Sequence, residues 1–245
     1  MRRTAKKQPN LAAWLDLGAI GAWGILFLKL WLADQLFLLI HPNYKPLVIV
    51  AGFGLLGMAI ALGLQSKPPT PHQNSSLARS TSLLLITTAI LGMVISPRPF
   101  SSDTAIHRGV IDQINAVSSV QSFRANAKSE ERSLLEWIRT LNVYPEPDAY
   151  QGQKAKVQGF VVHPPDFPPQ FFLLTRFVIT CCAADVYPVS LPVKLAEGKA
   201  TDFPSDRWFE VTGEMVTETI TNRRQLAIAA RQLTPIPEPR NPYES

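Results

Sequence analysis

The densest chemistry in the chain is one run, Arg176-Phe177-Val178-Ile179-Thr180-Cys181-Cys182-Ala183-Ala184-Asp185, followed by Pro188. Its two cysteines are the only ones in 245 residues. That count excludes a multi-bridge disulfide scaffold and any all-cysteine zinc site within one chain. Adjacent cysteines on a strand point to opposite faces. They reach one ion together only where the strand ends and the backbone turns, and Ala183-Ala184-Asp185 supplies the residues for such a turn. Thiolate metal binding, a strained vicinal disulfide and a redox-reactive pair are the functional readings. Two small buried side chains at a strand end are the structural one.

Cys181, Cys182 and Asp185 are the candidate ligands for a soft metal ion, and they lack a fourth protein ligand for zinc. His163 is excluded by register. It belongs at the turn end of a hairpin closing near Pro165 to Pro169, and Cys181 belongs at the far end, roughly 30 Å away at about 3.3 Å per residue. Arg176 is expected to pair with Asp185. No GxSxG, HExxH or P-loop pattern occurs, so no enzyme class and no further cofactor is expected.

Alternation of period two positions these residues. Ala155, Val157, Gly159 and Val161 alternate with Lys154, Lys156 and Gln158 from Gln153 onward. Further strands are expected over Phe171 to Thr180, Tyr187 to Val193, Trp208 to Val216 and Leu226 to Gln232. Glycines in mid-strand at 159 and 213 mark a bulge or tight bend. Five strands in about 80 residues with such bends predict a small OB-like five-stranded β-barrel over residues 144–236. On the alternation, Cys181 shares the core face with Phe177 and Ile179, and Cys182 is the more exposed thiol. Phe171, Phe172 and Phe177 are core residues or stacking platforms for bases. An amphipathic helix, Ser129 to Asn142 with Ser129 as N-cap, is expected to cover the sheet through Leu134, Ile138 and Leu141, Trp137 standing beside that stripe. It follows a linker within residues 98–143 that holds a short helix around Val110, Ile114 and Val117. Residues 237–245 read as a tail.

The first 97 residues are of another kind. Residues 11–64 carry only Asp16, Lys29, Asp34 and Lys45 as charged groups. Two to three spans are expected, at 11–32, 47–64 and 80–97, the last being less apolar and readable also as a buried helix or a re-entrant segment. Trp14 and Trp31 lie about 26 Å apart on a helix, near the hydrocarbon thickness. Asp16 and Lys29 fall near the span ends, where snorkelling is cheap. Gly18 with Ala22, and Ala59 with Gly63, offer small faces for helix packing. The apolar run is too long for a cleaved signal peptide.

Charge follows the same division. Residues 1–96 hold eight basic and two acidic side chains, a net +6, and the remainder sums to −1. A near-neutral C-terminal part lacks the cationic excess that nucleic-acid binding requires. Lys and Arg crowd the N-terminal tail and the loop from Gln65 to Arg79, which makes both cytoplasmic. With three crossings, residues after Pro97 lie outside the cytoplasm.

The segment Tyr150 to Pro192, with Gly152, Gly159-Phe160-Val161, Arg176-Phe177, Cys181-Cys182-Ala183-Ala184-Asp185 and Pro188-Val189, resembles the YcgQ-like family of bacterial membrane proteins. The resemblance extends to the N-terminal spans, Pro97-Arg98-Pro99, the Leu134 to Trp137 helix and the Trp208 to Gly213 strand. Val186 and Ser190 depart from the family pattern. The resemblance implies an α+β inner-membrane protein that accompanies a larger multi-span permease as an accessory subunit. The competing expectation is a membrane-anchored thiol protein for soft-metal binding or disulfide exchange.

Overall fold

The computed structural model describes residues 11–64, 76–109 and 128–244. The chain divides into two compact units, Met1–Arg98 and Pro99–Ser245. The short helix expected around Val110 to Val117 lies outside the described residues, as does most of the loop from Gln65 to Arg79.

The first unit holds α1 (Leu11–Leu32), α2 (Lys45–Leu64) and α3 (Ser76–Val94). The segments Ala13–Leu32 and Pro42–Leu64 are long and apolar enough to cross a membrane, and Ser80–Val94 is a shorter apolar helix. The third segment therefore stops three residues short of the expected 97, as the chain runs into Pro97. A 3-10 turn, Pro42–Tyr44, capped by His41, joins α1 to α2. Asp16 and Lys29, the charged residues of α1, both bond to α3. Asp16 accepts a hydrogen bond from Ser82, and Lys29 Nζ donates to the Met93 carbonyl at 2.9 Å. Trp23 Nε1 donates to the Leu85 carbonyl at 3.1 Å. The pairs 16–82, 23–85 and 29–93 ascend together, so α1 and α3 run parallel. The tight approach of α1 to α2 is at Gly24 and Gly52. A Cβ on Gly24 would stand 3.1 Å from the Gly52 carbonyl oxygen, whereas one on Gly18 or Gly63 would meet only ordinary contacts.

The second unit is α+β. It begins with α4 (Ser102–His107) and, after a 3-10 turn at Ser129–Glu131, α5 (Leu134–Val143). The cap of α5 is Ser133, not Ser129. Ser133 and Glu136 form a reciprocal capping box, because Ser129 is spent on the separate turn. Six strands follow: β1 (Lys154–Val162), β2 (Phe171–Val178), β3 (Tyr187–Lys194), β4 (Trp208–Ile220), β5 (Arg223–Pro235) and β6 (Tyr243–Glu244). Their order in the sheet is β1-β4-β5-β3-β2-β6, with an additional β1–β2 pairing. All pairs are antiparallel except β3–β5 and β2–β6.

The two mid-strand glycines sit where strands crowd. At Gly213 the β4–β5 register shifts by a bulge, and a Cβ there would lie 2.2 Å from the Ala229 carbonyl oxygen. At Gly159 it would lie 2.7 Å from the Thr175 carbonyl oxygen, just before β1 begins to pair with β2. The core gathers Leu134, Trp137 and Ile138 of α5 with Val157, Phe172, Leu174, Leu191, Met215 and Ile228 of the strands. The expected tail is not one: Tyr243–Glu244 pairs in parallel with Phe177–Val178.

Candidate functional site

The Cys-Cys-Asp loop joins β2 to β3. β2 ends at Val178, and both Val178 and Ile179 are buried, so strict alternation is already lost before the cysteines. The chain then bends through Thr180 and Cys181 and makes a 3-10 turn at Ala183–Asp185. The expected burial is thereby reversed: Cys181 is exposed and Cys182 half-buried. The bend also brings together the two thiols that an extended strand would separate. Their Sγ atoms stand 3.7 Å apart.

Asp185 organises this loop. One carboxylate oxygen, Oδ2, accepts from the Thr180 hydroxyl and from the Cys181 amide at 3.0 Å. The other, Oδ1, accepts from the Cys182 amide at 3.1 Å, and the Asp185 amide donates back to the Cys182 carbonyl at 3.1 Å. Partial burial pushes the Asp185 carboxyl up, but the bonds from Thr180 and the two cysteines outweigh it and hold the group at about 2. The Cys181 thiol moves the other way. It is pushed up to about 11, first by its hydrogen bond to the Asp185 carboxylate and then by Cys182. A thiol held neutral at physiological pH is a poor free nucleophile. Cys181 Sγ, Cys182 Sγ and an Asp185 oxygen all lie within 4.8 Å of one another. Among the described residues this is the one cluster of three such donors.

Both shoulders of the loop are pinned. The Ile179 amide donates to the Glu244 carbonyl at 3.1 Å, and Arg108 donates to the Val186 carbonyl.

The expected Arg176–Asp185 pair does not form. Arg176 sits on the other side of β2's end, with Nε 3.7 Å from Glu244 Oε1 and one Nη donating to the Asn241 carbonyl at 3.1 Å. Its guanidinium lies 5.4 Å from the centroid of the Trp208 ring. Burial lowers the Arg176 pKa, and the Glu244 charge opposes that shift. Glu244 also accepts from Ser133 Oγ at 2.8 Å and from the Leu135 amide at 2.9 Å, at the N-terminus of α5. Glu244 is the residue that local sequence patterns do not reveal, since the partners of its side chain are 68 to 111 positions away.

The remaining motif residues lie in the core or in the turn. Phe177 is buried and lies between Phe100 and Phe160, at ring-centroid distances of 5.5 and 5.6 Å. Phe171 and Phe172 are buried in the core, so none of the three offers a stacking platform. Ala183 and Ala184 form the turn, and Pro188 is a buried residue of β3 paired with Phe177. His163 lies away from the cluster, its Nε2 2.7 Å from the Phe203 carbonyl oxygen.

A family model described as the DUF1980 C-terminal domain matches residues 114–244. No curated protein and no solved structure matches the chain. The match takes in all six strands, the Cys-Cys-Asp loop and Glu244, and covers more than half of the chain, which belongs to the DUF1980 family.

Proposed function

We propose that this chain is an accessory subunit of a membrane permease complex in a bacterial inner membrane. Its N-terminal helices anchor an extracytoplasmic β-barrel that binds rather than turns over a substrate. The observation that carries the anchor is the first unit's surface. Leu47, Val50, Phe53, Ile60 and Leu64 on α2, and Leu84, Leu91 and Val94 on α3, are exposed, while Asp16 and Lys29 are satisfied by α3. So large an apolar surface is stable against lipid, not water. The parallel course of α1 and α3 supports three crossings, which carry the following chain to the side opposite the N-terminus. The ring of pairings β1-β4-β5-β3-β2, returned to β1 by the β1–β2 pairing, supports a closed five-stranded barrel of the OB type. The permease partner rests on the resemblance to the YcgQ-like family. Affinity purification from bacterial membranes in mild detergent tests it. A multi-span membrane protein should co-purify; a lone monomer with hydrolase, transferase or oxidoreductase turnover would contradict the reading.

The second reading is a membrane-anchored thiol protein. It is favoured by one observation, the convergence of Cys181, Cys182 and Asp185 on an exposed loop.

A further inference from the structure

We infer that Cys181, Cys182 and Asp185 form a binding site for one thiophilic divalent d10 cation, zinc or cadmium, held by two thiolates and a carboxylate oxygen with one coordination position open to solvent. This deepens the thiol reading and does not depend on the permease partner.

The first argument is the bite of the cysteine pair. Zinc–thiolate bonds are about 2.3 Å long. Two sulfurs 3.7 Å apart then subtend about 107° at a shared ion, close to the tetrahedral angle. A linear two-thiolate ion with bonds of that length would need the sulfurs about 4.6 Å apart. A disulfide would need them at about 2.05 Å. The spacing already present suits one tetrahedral ion better than either.

The second argument is preorganisation. Adjacent cysteines give this bite only in a bent backbone, and the bend is held at several points. Asp185 accepts from both cysteine amides and from Thr180. The Ile179–Glu244 and Arg108–Val186 bonds hold the loop's two ends. Of the two cysteine amides, Oδ1 accepts only that of Cys182, and metal binding removes the Cys181 thiol proton that bonds the carboxylate, so a carboxylate lone pair is left for the ion.

The third argument is charge and access. Two thiolates and a carboxylate carry three negative charges, which a dication reduces to one. The thiol protons go to solvent as the two metal–sulfur bonds form, so binding releases two protons and changes no oxidation state. Cys181 is exposed, so the fourth position admits water or a donor from another molecule. Three protein ligands with an open fourth position let an ion enter and leave, unlike the closed four-ligand sites that only hold a fold together.

The test is cobalt(II) titration of the full chain, purified in mild detergent and kept reduced by a phosphine. One equivalent should produce thiolate-to-cobalt charge-transfer absorption and the intense d–d bands of tetrahedral coordination. Zinc or cadmium should abolish both bands. Proton release in weak buffer should approach two per ion. Cys181→Ser and Cys182→Ser should each lose most of the charge-transfer band, and Asp185→Asn should weaken binding by roughly 10–100-fold. Absence of a charge-transfer band from the reduced wild-type chain would overturn the site, and that arm needs no variant to fold. A band that persists in the Cys181→Ser/Cys182→Ser double variant would overturn it too. Co-purification of a permease in either case would leave the accessory-subunit reading standing.

Discussion

Arg176 on β2 and Glu244 on β6 face each other with Nε and Oε1 3.7 Å apart, and both side chains are largely withdrawn from water. Glu244 at the same time receives the first turn of α5 through Ser133 and Leu135. Removing it takes the counter-charge from a buried guanidinium and leaves the Leu135 amide without its acceptor. Glu244→Ala is expected to destabilise the second unit by about 3–5 kcal/mol, the range for breaking a buried ion pair from one side. The exposed Lys154–Glu130 pair is the contrast, and Glu130→Ala should cost less than about 1 kcal/mol. Denaturant melts of both variants check this; equal losses would contradict it.

Neither cysteine is a core residue. Cys181→Ser is expected to change stability by less than about 0.5 kcal/mol, as for an exposed position outside the core. The chemical counterpart is slow alkylation. With the Cys181 thiol held up at about 11, its reaction rate in the metal-free chain should keep rising with pH from neutrality toward that value. A rate that levels off below pH 8, or a large drop in melting temperature, would contradict the loop geometry.

Much of the fold is legible in the sequence because it follows from local periodicity. The stretch Leu11–Leu32 is apolar from end to end, and Ala155, Val157 and Val161 alternate as a half-buried strand must. The cap of α5 was also within reach, since Ser133-Leu134-Leu135-Glu136 is itself a capping-box pattern. Three features are not local. Alternation projected past Val178 assigns the cysteines to the wrong faces, because a strand's end is set by what pairs with it. Arg176 finds Glu244 rather than Asp185 because a two-residue strand folds back from a proline-rich segment with no period of its own. Asp16 and Lys29 find their partners on α3, Ser82 and the Met93 carbonyl, 66 and 64 positions away.

Gly213 allows β4 and β5 to approach at the bulge. Gly213→Ala would drive a methyl group into the Ala229 carbonyl, a backbone atom that cannot rotate away. The expected loss is about 1–3 kcal/mol, the usual cost of overpacking. Gly57→Ala on α2 meets nothing within 4 Å and should not destabilise; thermal melts of the two variants check the contrast. Tolerance of alanine at 213 would contradict the bulge.

Acid should open the Cys-Cys-Asp loop. The Asp185 carboxyl is held at about 2, below the usual carboxylate value, so its ionised form is the one that folding favours. The contribution is fully present above about pH 4 and is lost as pH falls through about 2. In the metal-free chain, the amide proton resonances of Cys181 and Cys182 should titrate together with a midpoint near 2. A midpoint near 4 would mean that Asp185 does not accept from those amides.

The accessory-subunit reading requires the Cys-Cys-Asp loop to lie outside the cytoplasm on a membrane anchor, and sidedness tests that most directly. In a Cys181→Ser/Cys182→Ser background, single cysteines replace Asn43 in the α1–α2 turn and Ser205, both exposed. An impermeant thiol reagent is applied to intact cells, with the outer membrane permeabilised where there is one. Both positions should label without lysis, because three crossings place them on the same external side. Labelling at 43 with protection of 205 until lysis would mean that α3 does not cross, and would contradict the account.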